Sequence, residues 1–225
     1  MRTLFIGGTK RGYLALKGLL ESKADVVGII SLEQDSHEWE RYEEPIETLA
    51  RNFHVPHFQT RRIQEKDFSR LIREKVQPEI AFVIGCRILL PKEIYQIPRK
   101  GTLAVHDSLL PKYRGFAPLN WSLLNGEDHT GVTLFYVSEQ TDGGDIVAQK
   151  RVPIGPDDTA AVVYERVCQA TVDILLGTYP LLVENRVSRT PQDHSSASFT
   201  CSRTPEDGMI DWSQTTRVIY NQIRA

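Results

Sequence analysis

The chain has 225 residues, which allows one full domain with a small appendage and excludes a large multidomain assembly. Its 27 lysines and arginines nearly balance its 29 aspartates and glutamates, so the formal net charge is −2, and 40% of the residues are hydrophobic. This composition is typical of a globular protein rather than a disordered one. It also disfavours nucleic-acid binding that depends on a basic surface.

Strand and helix patterns alternate along the first half of the chain. An apolar strand runs into a glycine-bearing turn over 2–12, and the apolar spacing then predicts helices at 13–21, 41–53, 68–76, 91–97 and 118–125 and strands at 26–31, 79–84 and 102–106. Such alternation predicts an α/β fold in which helices flank a mostly parallel sheet.

The second half begins with a hairpin pattern. Two predicted strands, 131–138 and 146–153, are joined by a tight turn over 140–145, and Thr159 and the two residues before it offer an N-cap for a helix that extends to about residue 184. Near 190–202 serine, threonine, glutamine and histidine replace aliphatic residues. We therefore expect a domain over 1–187, a linker over 188–203 and, over 204–225, the start of a truncated C-terminal subdomain with an amphipathic pattern.

Neither a membrane segment nor a metal site is indicated. The longest apolar runs, such as 80–84, fall far short of the ~20 residues of a membrane span, and the N-terminus resembles a strand rather than a leader, so we expect a cytoplasmic protein. The histidines lack close ligand spacing. Cys86, Cys168 and Cys201 are few and far apart, so we expect buried thiols and no disulfide.

The first candidate site is the glycine-bearing turn. In an open α/β sheet, ligands bind beyond the carboxyl ends of the strands. Gly8 permits close approach of a ligand, and Lys10 and Arg11 could meet a phosphate at the start of the next helix. The spacing G-G-x-x-x-G departs from the dinucleotide fingerprint, so an ordinary strand–helix turn and an anion-binding loop both stay open.

Two further candidates are His106 and Asp142. His106 ends a predicted strand and precedes a long loop with proline and glycine, a composition typical of functional loops. Asp142 lies in the hairpin turn. Taken alone, each has a structural alternative: a hydrogen-bonded histidine and a turn-forming aspartate. Ser108 does not fit the nucleophile elbow of serine hydrolases, so that reading is rejected.

Three motifs together resemble a known family in order and spacing. They are His-x-Ser-Leu-Leu-Pro-x-Tyr-Arg-Gly-x-Ala-Pro over 106–118, Gly-Glu-Asp-His-Thr-Gly-Val-Thr over 126–133 and Thr-Asp-Gly-Gly-Asp-Ile over 141–146. The family is that of the folate-dependent formyltransferases, which includes methionyl-tRNA, glycinamide ribonucleotide and sugar N-formyltransferases. The resemblance covers residues 1 to about 185 and implies a Rossmann-like domain over 1–187 with 10-formyltetrahydrofolate as formyl donor and no metal.

The resemblance also implies a catalytic set. The family histidine corresponds to His106, the aspartate to Asp142 and the asparagine to Ala104. In the implied acyl transfer, His106 donates a hydrogen bond to the oxyanion. Asp142 orients the His106 ring and relays the amine proton. Alanine cannot donate, and loss of one oxyanion donor costs about 10²–10³ in rate. A substitution made to trap a complex, a natural variant that uses Asn120 or a backbone N–H, and a form that binds without turnover all stay open.

Binding residues follow from the same resemblance. The residues expected to bind the folate are Cys86, Arg87, Ile88, Leu89, Val137, Gln140, Thr141 and Asp142. Those expected to bind the substrate are Gly8, Lys10, Arg11, Arg114 and Trp212. For Ile88 and Leu89 the alternative is a place in the core, and for Trp212 a core anchor.

Charge and length favour one branch of this family. The chain is slightly acidic and ends soon after the predicted linker, which disfavours a tRNA substrate and fits the sugar N-formyltransferases best. The expected partners are folate and a nucleotide-linked amino sugar, commonly a 4-amino-4,6-dideoxyhexose of surface glycans, with no nucleic acid, no membrane and a possible homodimer through the C-terminal part. A 10-formyltetrahydrofolate hydrolase and a non-catalytic folate or nucleotide-sugar binding form are the alternatives.

Overall fold

The computed structural model describes residues 1–33, 40–61, 63, 66–86 and 88–225. These residues form two compact units. The first comprises Met1–Val105 with Leu175–Val187, and the second comprises His106–Ile174 with Ser188–Ala225. The division into a domain, a linker and a C-terminal subdomain at residues 187 and 203 stays a prediction. The second compact unit contains residues 188–225 together with the hairpin and the loop after His106.

The first unit is built on parallel strands in the order β3-β2-β1-β4-β5. These strands are β1 (Thr3–Gly7), β2 (Val26–Leu32), β3 (His57–Thr60), β4 (Ile80–Ile84) and β5 (Thr102–His106). The helices between them are α1 (Thr9–Glu21), α2 (Glu43–Asn52), α3 (Lys66–Leu71) and α4 (Lys92–Tyr95). Every residue of β1 and β4 is buried, as expected for central strands of a parallel sheet that is covered on both faces.

The second unit contains the predicted hairpin. Its elements are β6 (Arg114–Gly115), α5 (Pro118–Leu124), β7 (His129–Tyr136), β8 (Ile146–Pro153), the first part of α6 (Ala160–Val183), β9 (Phe199–Thr200) and α7 (Thr216–Arg224). Strands β7 and β8 pair antiparallel, and β6 pairs with β9. The expectation of an α/β, Rossmann-like fold with a mostly parallel sheet is confirmed.

Some elements differ from the sequence prediction. Strand β3 has four residues directly after Pro56, too few for a periodic pattern, and β6 and β9 have two residues each. The predicted helix over 68–76 ends as α3 at Leu71 and continues as a π-helical turn, Ile72–Val76. These differences concern short elements whose formation depends on tertiary pairing rather than on local periodicity.

Helix α7 buries its polar side. Asn221 and Arg224 are 4% and 6% exposed, whereas Ile223 is 66% exposed. Arg224 Nη1 donates to the Gly155 and Asp158 carbonyls at 3.1 and 3.2 Å, which satisfies the buried guanidinium. The residues of the amphipathic pattern do form a helix, but Val218 and Ile223 on its apolar side are exposed, and the polar side is the one that is buried and hydrogen-bonded.

The thiols and the helix lengths bear on two further expectations. Cys168 is buried and Cys86 is half-buried, but Cys201 is exposed, so the expectation of a buried thiol was wrong at Cys201, which lies in an exposed polar stretch. Across the described residues, no helix combines the length and the apolar character that crossing a membrane requires.

Candidate active site

His106 is the last residue of β5 and the first of the second unit. The side chain is nearly buried, with its Nε2 2.6 Å from the Tyr113 carbonyl oxygen and its Nδ1 3.6 Å from Asp142 Oδ2. A carbonyl oxygen only accepts, so Nε2 carries a proton. Both ring nitrogens therefore face oxygen atoms that can accept a hydrogen bond.

The loop after His106 is fixed by hydrogen bonds to its own backbone and to the hairpin. Ser108 Oγ donates to the Lys112 carbonyl at 2.6 Å, and the Leu110 amide donates to Thr133 Oγ1 on β7 at 3.1 Å. Tyr113 takes a left-handed backbone, with φ of 59°, which directs its carbonyl at the imidazole. The Ser108 hydroxyl is occupied and 1% exposed, which agrees with the rejection of a serine nucleophile.

Asp142 lies in the turn that joins β7 to β8. Its φ is 49°, a left-handed conformation that aspartate tolerates better than most residues. Its Oδ2 accepts from the Gly115 amide at 2.8 Å. A Cβ atom at Gly144 would lie 1.8 Å from the Tyr136 carbonyl oxygen, so only glycine fits there. Gly144 therefore allows the backbone of the turn to pass close to Tyr136, and Asp142 supplies the carboxylate.

Arg114 lies in the interior rather than on a binding surface. It is 0% exposed, and its Nε and Nη2 donate to Gln192 Oε1 at 3.2 and 2.6 Å. Nη2 also lies 3.0 Å from His194 Nδ1. Burial lowers the pKa of Arg114, while the negative charge of Asp142 acts in the opposite direction. The expected contact between Arg114 and a diphosphate thus has no exposed guanidinium edge to use.

Gln192 and His194 were missed by the sequence analysis. Both lie in the stretch that was predicted as a linker because its composition is polar and aperiodic. Gln192 is 6% exposed. A buried glutamine in such a stretch has no periodic signal, and the proline directly before it is the only local hint of a fixed backbone.

The position of the expected asparagine is occupied by Ala104 on β5, two residues before His106. Ala104 is half-buried and packs against the core of the first unit. Its methyl group has no hydrogen-bond donor. Asn120, the side chain considered as a substitute donor, gives its amide hydrogen to the Ala225 carbonyl and is thereby engaged at the end of α7.

The expected folate-binding residues lie in two segments, described separately. In the first unit, Cys86 Sγ donates to the Ile88 carbonyl at 3.4 Å, and burial raises the pKa of Cys86 to about 11. Ile88 packs against the core, whereas Leu89 is 70% exposed, so Leu89 is not a core residue. Arg87 lies outside the described residues. In the second unit, Val137 is half-buried, and Gln140 and Thr141 are exposed beside Asp142.

The other expected substrate contacts differ in exposure. Gly8 precedes α1 and its carbonyl accepts from the Gly12 amide at 3.1 Å, while Lys10 and Arg11 are half-buried in the first turn of α1. Trp212 is 77% exposed, so it is not a core anchor. Within the described ranges, no group of three histidine, cysteine or acidic side chains is placed to hold a metal ion.

Comparison with known proteins decides the family. The formyl transferase family model matches residues 1–178. This chain belongs to the folate-dependent formyltransferase family. The formyltransferase is 32% identical over 226 residues to methionyl-tRNA formyltransferase of Desulforamulus reducens, a match that covers 100% of this chain and 71% of that protein. It is also 32% identical over 225 residues to the bifunctional polymyxin resistance protein ArnA of Wigglesworthia glossinidia brevipalpis, covering 100% of this chain and 34% of that protein.

Solved structures share the fold of this formyltransferase. The N-formyltransferase from Helicobacter canadensis, in complex with folinic acid and dTDP-3-aminofucose, superposes with a TM-score of 0.79 at 22% identity, covering 100% of this chain and 80% of that one. A 4-N formyltransferase from Francisella tularensis gives a TM-score of 0.76 at 18% identity, covering 99% and 87%. At these identities the likeness establishes the fold.

Proposed function

We propose that this formyltransferase moves a formyl group from 10-formyltetrahydrofolate to the amine of a nucleotide-linked amino sugar, with His106 and Asp142 as its catalytic pair. The observation that carries the proposal is the distance of 3.6 Å between His106 Nδ1 and Asp142 Oδ2 at the carboxyl end of a parallel strand. An imidazole beside a carboxylate is suited to donate to a developing oxyanion and to manage the amine proton.

The reaction is an acyl transfer between two nitrogens. The neutral substrate amine attacks the formyl carbon, forming a carbon–nitrogen bond and a tetrahedral oxyanion. Collapse of this intermediate breaks the bond to the folate nitrogen, and the proton lost by the amine passes to the nitrogen that leaves. The charged His106 donates to the oxyanion, for which one ring N–H exchanges its present acceptor for the formyl oxygen. Asp142 keeps the ring oriented and takes part in the proton relay through water.

Ala104 bears on the rate rather than on the reaction type. Two residues before the histidine, the family pattern has an asparagine whose amide would donate to the oxyanion. Ala104 occupies this position and has no side-chain donor. With Asn120 engaged at Ala225, His106 is the donor that this proposal relies on. We therefore propose a chain that retains the chemistry but is slow, and not one that is inert.

The donor proposal is supported by the ligands of the structural neighbours. Folinic acid is bound in the Helicobacter canadensis enzyme, and 5-N-formyl-tetrahydrofolate accompanies a sugar 3N-formyl transferase of the same fold. We assign the folate the residues carried by the resemblance, which are Cys86, Arg87, Ile88, Leu89, Val137, Gln140, Thr141 and Asp142. Because Cys86 is a protonated thiol at neutral pH, it would serve as a packing surface and not as a nucleophile.

The acceptor proposal is supported by charge and by the neighbours. The net charge of −2 offers little attraction to a phosphate backbone, whereas a nucleotide sugar needs only a few local contacts. The Helicobacter canadensis structure holds dTDP-3-aminofucose, and the Francisella tularensis protein is a 4-N formyltransferase. We propose a 4-amino-4,6-dideoxyhexose carrier destined for surface glycans, formylated in the cytoplasm, with Gly8, Lys10, Arg11 and Trp212 as candidate contacts and a homodimer through the C-terminal part.

Initiator methionyl-tRNA is the second candidate acceptor. It is favoured by relatives that cover the whole chain, such as the methionyl-tRNA formyltransferase of Pelotomaculum thermopropionicum, which is 34% identical over 226 residues and of whose length 72% is covered. The distinguishing property is salt dependence, because binding through tRNA phosphates weakens steeply as salt rises while binding of a nucleotide sugar does not.

The deciding experiment supplies 10-formyltetrahydrofolate with a panel of acceptors to this chain and to Ala104→Asn. The panel contains uridine- and thymidine-diphosphate amino sugars with the amine at carbon 3 or 4, and methionyl-tRNA, and products are identified by mass spectrometry. A formyl mass on one sugar, larger for the asparagine form, is the expected result. Formylation of methionyl-tRNA alone assigns the second acceptor. Formate release with no formylated amine, or binding with no turnover, would replace the proposal by a hydrolase or a binding form.

A further inference from the structure

A short segment after α6 lies along the turn that carries Asp142. We call residues 188–192 the strap. Its Thr190 forms a two-way backbone bridge with Ile146, with N–O distances of 2.8 and 2.9 Å, and the Arg189 guanidinium lies 3.6 Å from the centroid of the Tyr136 ring. The strap therefore contacts both ends of the β7–β8 turn, at Tyr136 and at Ile146. The strap is exposed over residues 188–191, and only its last residue, Gln192, is buried.

Gln192 ties the turn to Arg114. Its Nε2 donates one hydrogen to the Asp142 carbonyl at 2.8 Å and the other to the Gly144 carbonyl at 2.7 Å. Its Oε1 accepts twice from the buried Arg114 guanidinium. Rotating the amide by half a turn would set two donors against guanidinium donors and an oxygen against carbonyl oxygens, so the orientation of the amide is fixed.

The Asp142 carboxylate is held by the residue that follows Arg114. Gly115, the chain neighbour of Arg114 on β6, donates its amide to Asp142 Oδ2, the oxygen that faces His106. The backbone of Asp142 is thus held through Gln192 and its side chain through Gly115. A left-handed aspartate persists only where its surroundings fix it, and these bonds supply that constraint. The charges of Arg114 and Asp142 attract each other, which adds to the hold.

We propose that Gln192, held by Arg114, is a positioning residue for Asp142 and sets the carboxylate against the His106 imidazole. The inference deepens the proposed function and rests on it for its kinetic consequence. It reassigns Arg114 from contact with substrate to support of the catalytic turn. Neither residue touches the reacting atoms, and both act through Asp142.

Two substitutions at Gln192 test whether its hydrogen bonds position Asp142. Gln192→Ala removes every bond of the amide. Gln192→Glu keeps the volume of the side chain and forms an ion pair with Arg114, but it replaces the amide donor by a carboxylate oxygen that faces the Asp142 and Gly144 carbonyl oxygens. The variant therefore releases the turn in a chain that is still held at Arg114. The control is Gln222→Ala, which removes a glutamine on α7 whose Nε2 also donates to two backbone carbonyls, those of Asp207 and Met209 at 3.3 and 2.9 Å, neither of which lies in the Asp142 turn or in the loop after His106.

The readouts are the NMR resonance of the Gly115 amide and steady-state kinetics, measured in the Ala104→Asn background, where turnover is expected to be larger. Both Gln192 variants are expected to lower kcat by about 10-fold or more with KM for the amino sugar nearly unchanged, because the turn is not among the residues assigned to the sugar and a misplaced carboxylate affects the transition state. The Gly115 amide proton, which reports its bond to Asp142, is expected to shift upfield and exchange faster. Gln222→Ala is expected to change neither kcat nor the Gly115 resonance.

Unchanged kcat, or an unchanged Gly115 resonance, in a folded Gln192→Glu chain overturns the proposal, as does an equal effect of Gln222→Ala. If no form of the chain transfers formyl to any amine, the proposed function fails. The Gly115 resonance then still decides whether Gln192 positions Asp142, so the two failures are distinguishable. Circular dichroism of each variant at the assay temperature verifies that a folded chain is being compared.

Discussion

One carboxylate oxygen joins the loop after β5 to the imidazole that ends this strand. Asp142 Oδ2 accepts from the Gly115 amide at 2.8 Å and lies 3.6 Å from His106 Nδ1. The Gly115 amide therefore helps to decide which carboxylate oxygen faces the ring. A change that removes the Asp142 side chain is expected to act on the loop and on the imidazole together.

Asp142→Asn separates these two effects. The asparagine Oδ1 still accepts from the Gly115 amide, while the negative charge beside the imidazole is lost. We expect kcat for formyl transfer to fall by about 10²- to 10⁴-fold with little loss of stability. Asp173→Asn, which removes a carboxylate paired with Lys150 on the surface, is the control and is expected to keep full activity. Equal kcat for Asp142→Asn and the parent chain contradicts the assignment.

Ala104→Asn tests the missing oxyanion donor. Asparagine at this place on β5 adds an amide N–H two residues before His106, and restoring one donor is expected to raise kcat by about 10²–10³. Ala104→Leu, which adds a side chain of similar volume without a donor, is the control. The measurement is single-turnover transfer to the amino sugar that the panel identifies. A chain in which asparagine and leucine have the same effect does not use a donor at this position.

Gly144→Ala tests the geometry of the turn. The added methyl would lie 1.8 Å from the Tyr136 carbonyl oxygen, so the backbone must move. We expect the free energy of unfolding to fall by about 1–3 kcal/mol, measured by urea denaturation. Gly177→Ala is the matched control. Nothing lies within 4 Å of its added methyl, and alanine in the helical interior of α6 is expected to stabilise the chain by about 0.5–1 kcal/mol. Equal stabilities of the two variants would falsify this account of the turn.

The predictable part of the site is the part carried by local pattern. Periodicity and turn residues mark the strand end at His106 and the hairpin turn at Asp142, and the family resemblance singled out these two residues as a catalytic pair. Gln192 carries no such mark. Its partners, Arg114 and the Asp142 carbonyl, are 78 and 50 residues away along the chain, and a polar aperiodic stretch looks the same whether it is loose or bonded.

At Arg114 the sequence predicted a binding contact, but the side chain is buried. A cation in a loop beside a catalytic histidine is a reasonable candidate for a phosphate contact, and burial is the property that a sequence does not reveal. Helix α7 shows the same limit, because its helical period was evident in the sequence while its buried side was not. The side with Asn221 and Arg224 is buried because these side chains donate to backbone carbonyls, which are those of Leu124, Gly155 and Asp158. Amphipathic period predicts a helix, while available acceptors decide which side is buried.

Alkylation of the native thiols tests the surroundings of Cys86. Burial raises the pKa of Cys86 to about 11, so near pH 8 only about one molecule in a thousand carries the reactive thiolate. Cys168 is buried and Cys201 is exposed. Brief treatment with iodoacetamide at pH 8 is therefore expected to add one group, at Cys201, and Cys201→Ser should abolish this adduct. Since the pKa is raised, the reactivity of Cys86 should increase as the pH is brought towards 11. Peptide mapping that finds Cys86 modified at pH 8 as fast as Cys201 would contradict the burial that this prediction rests on.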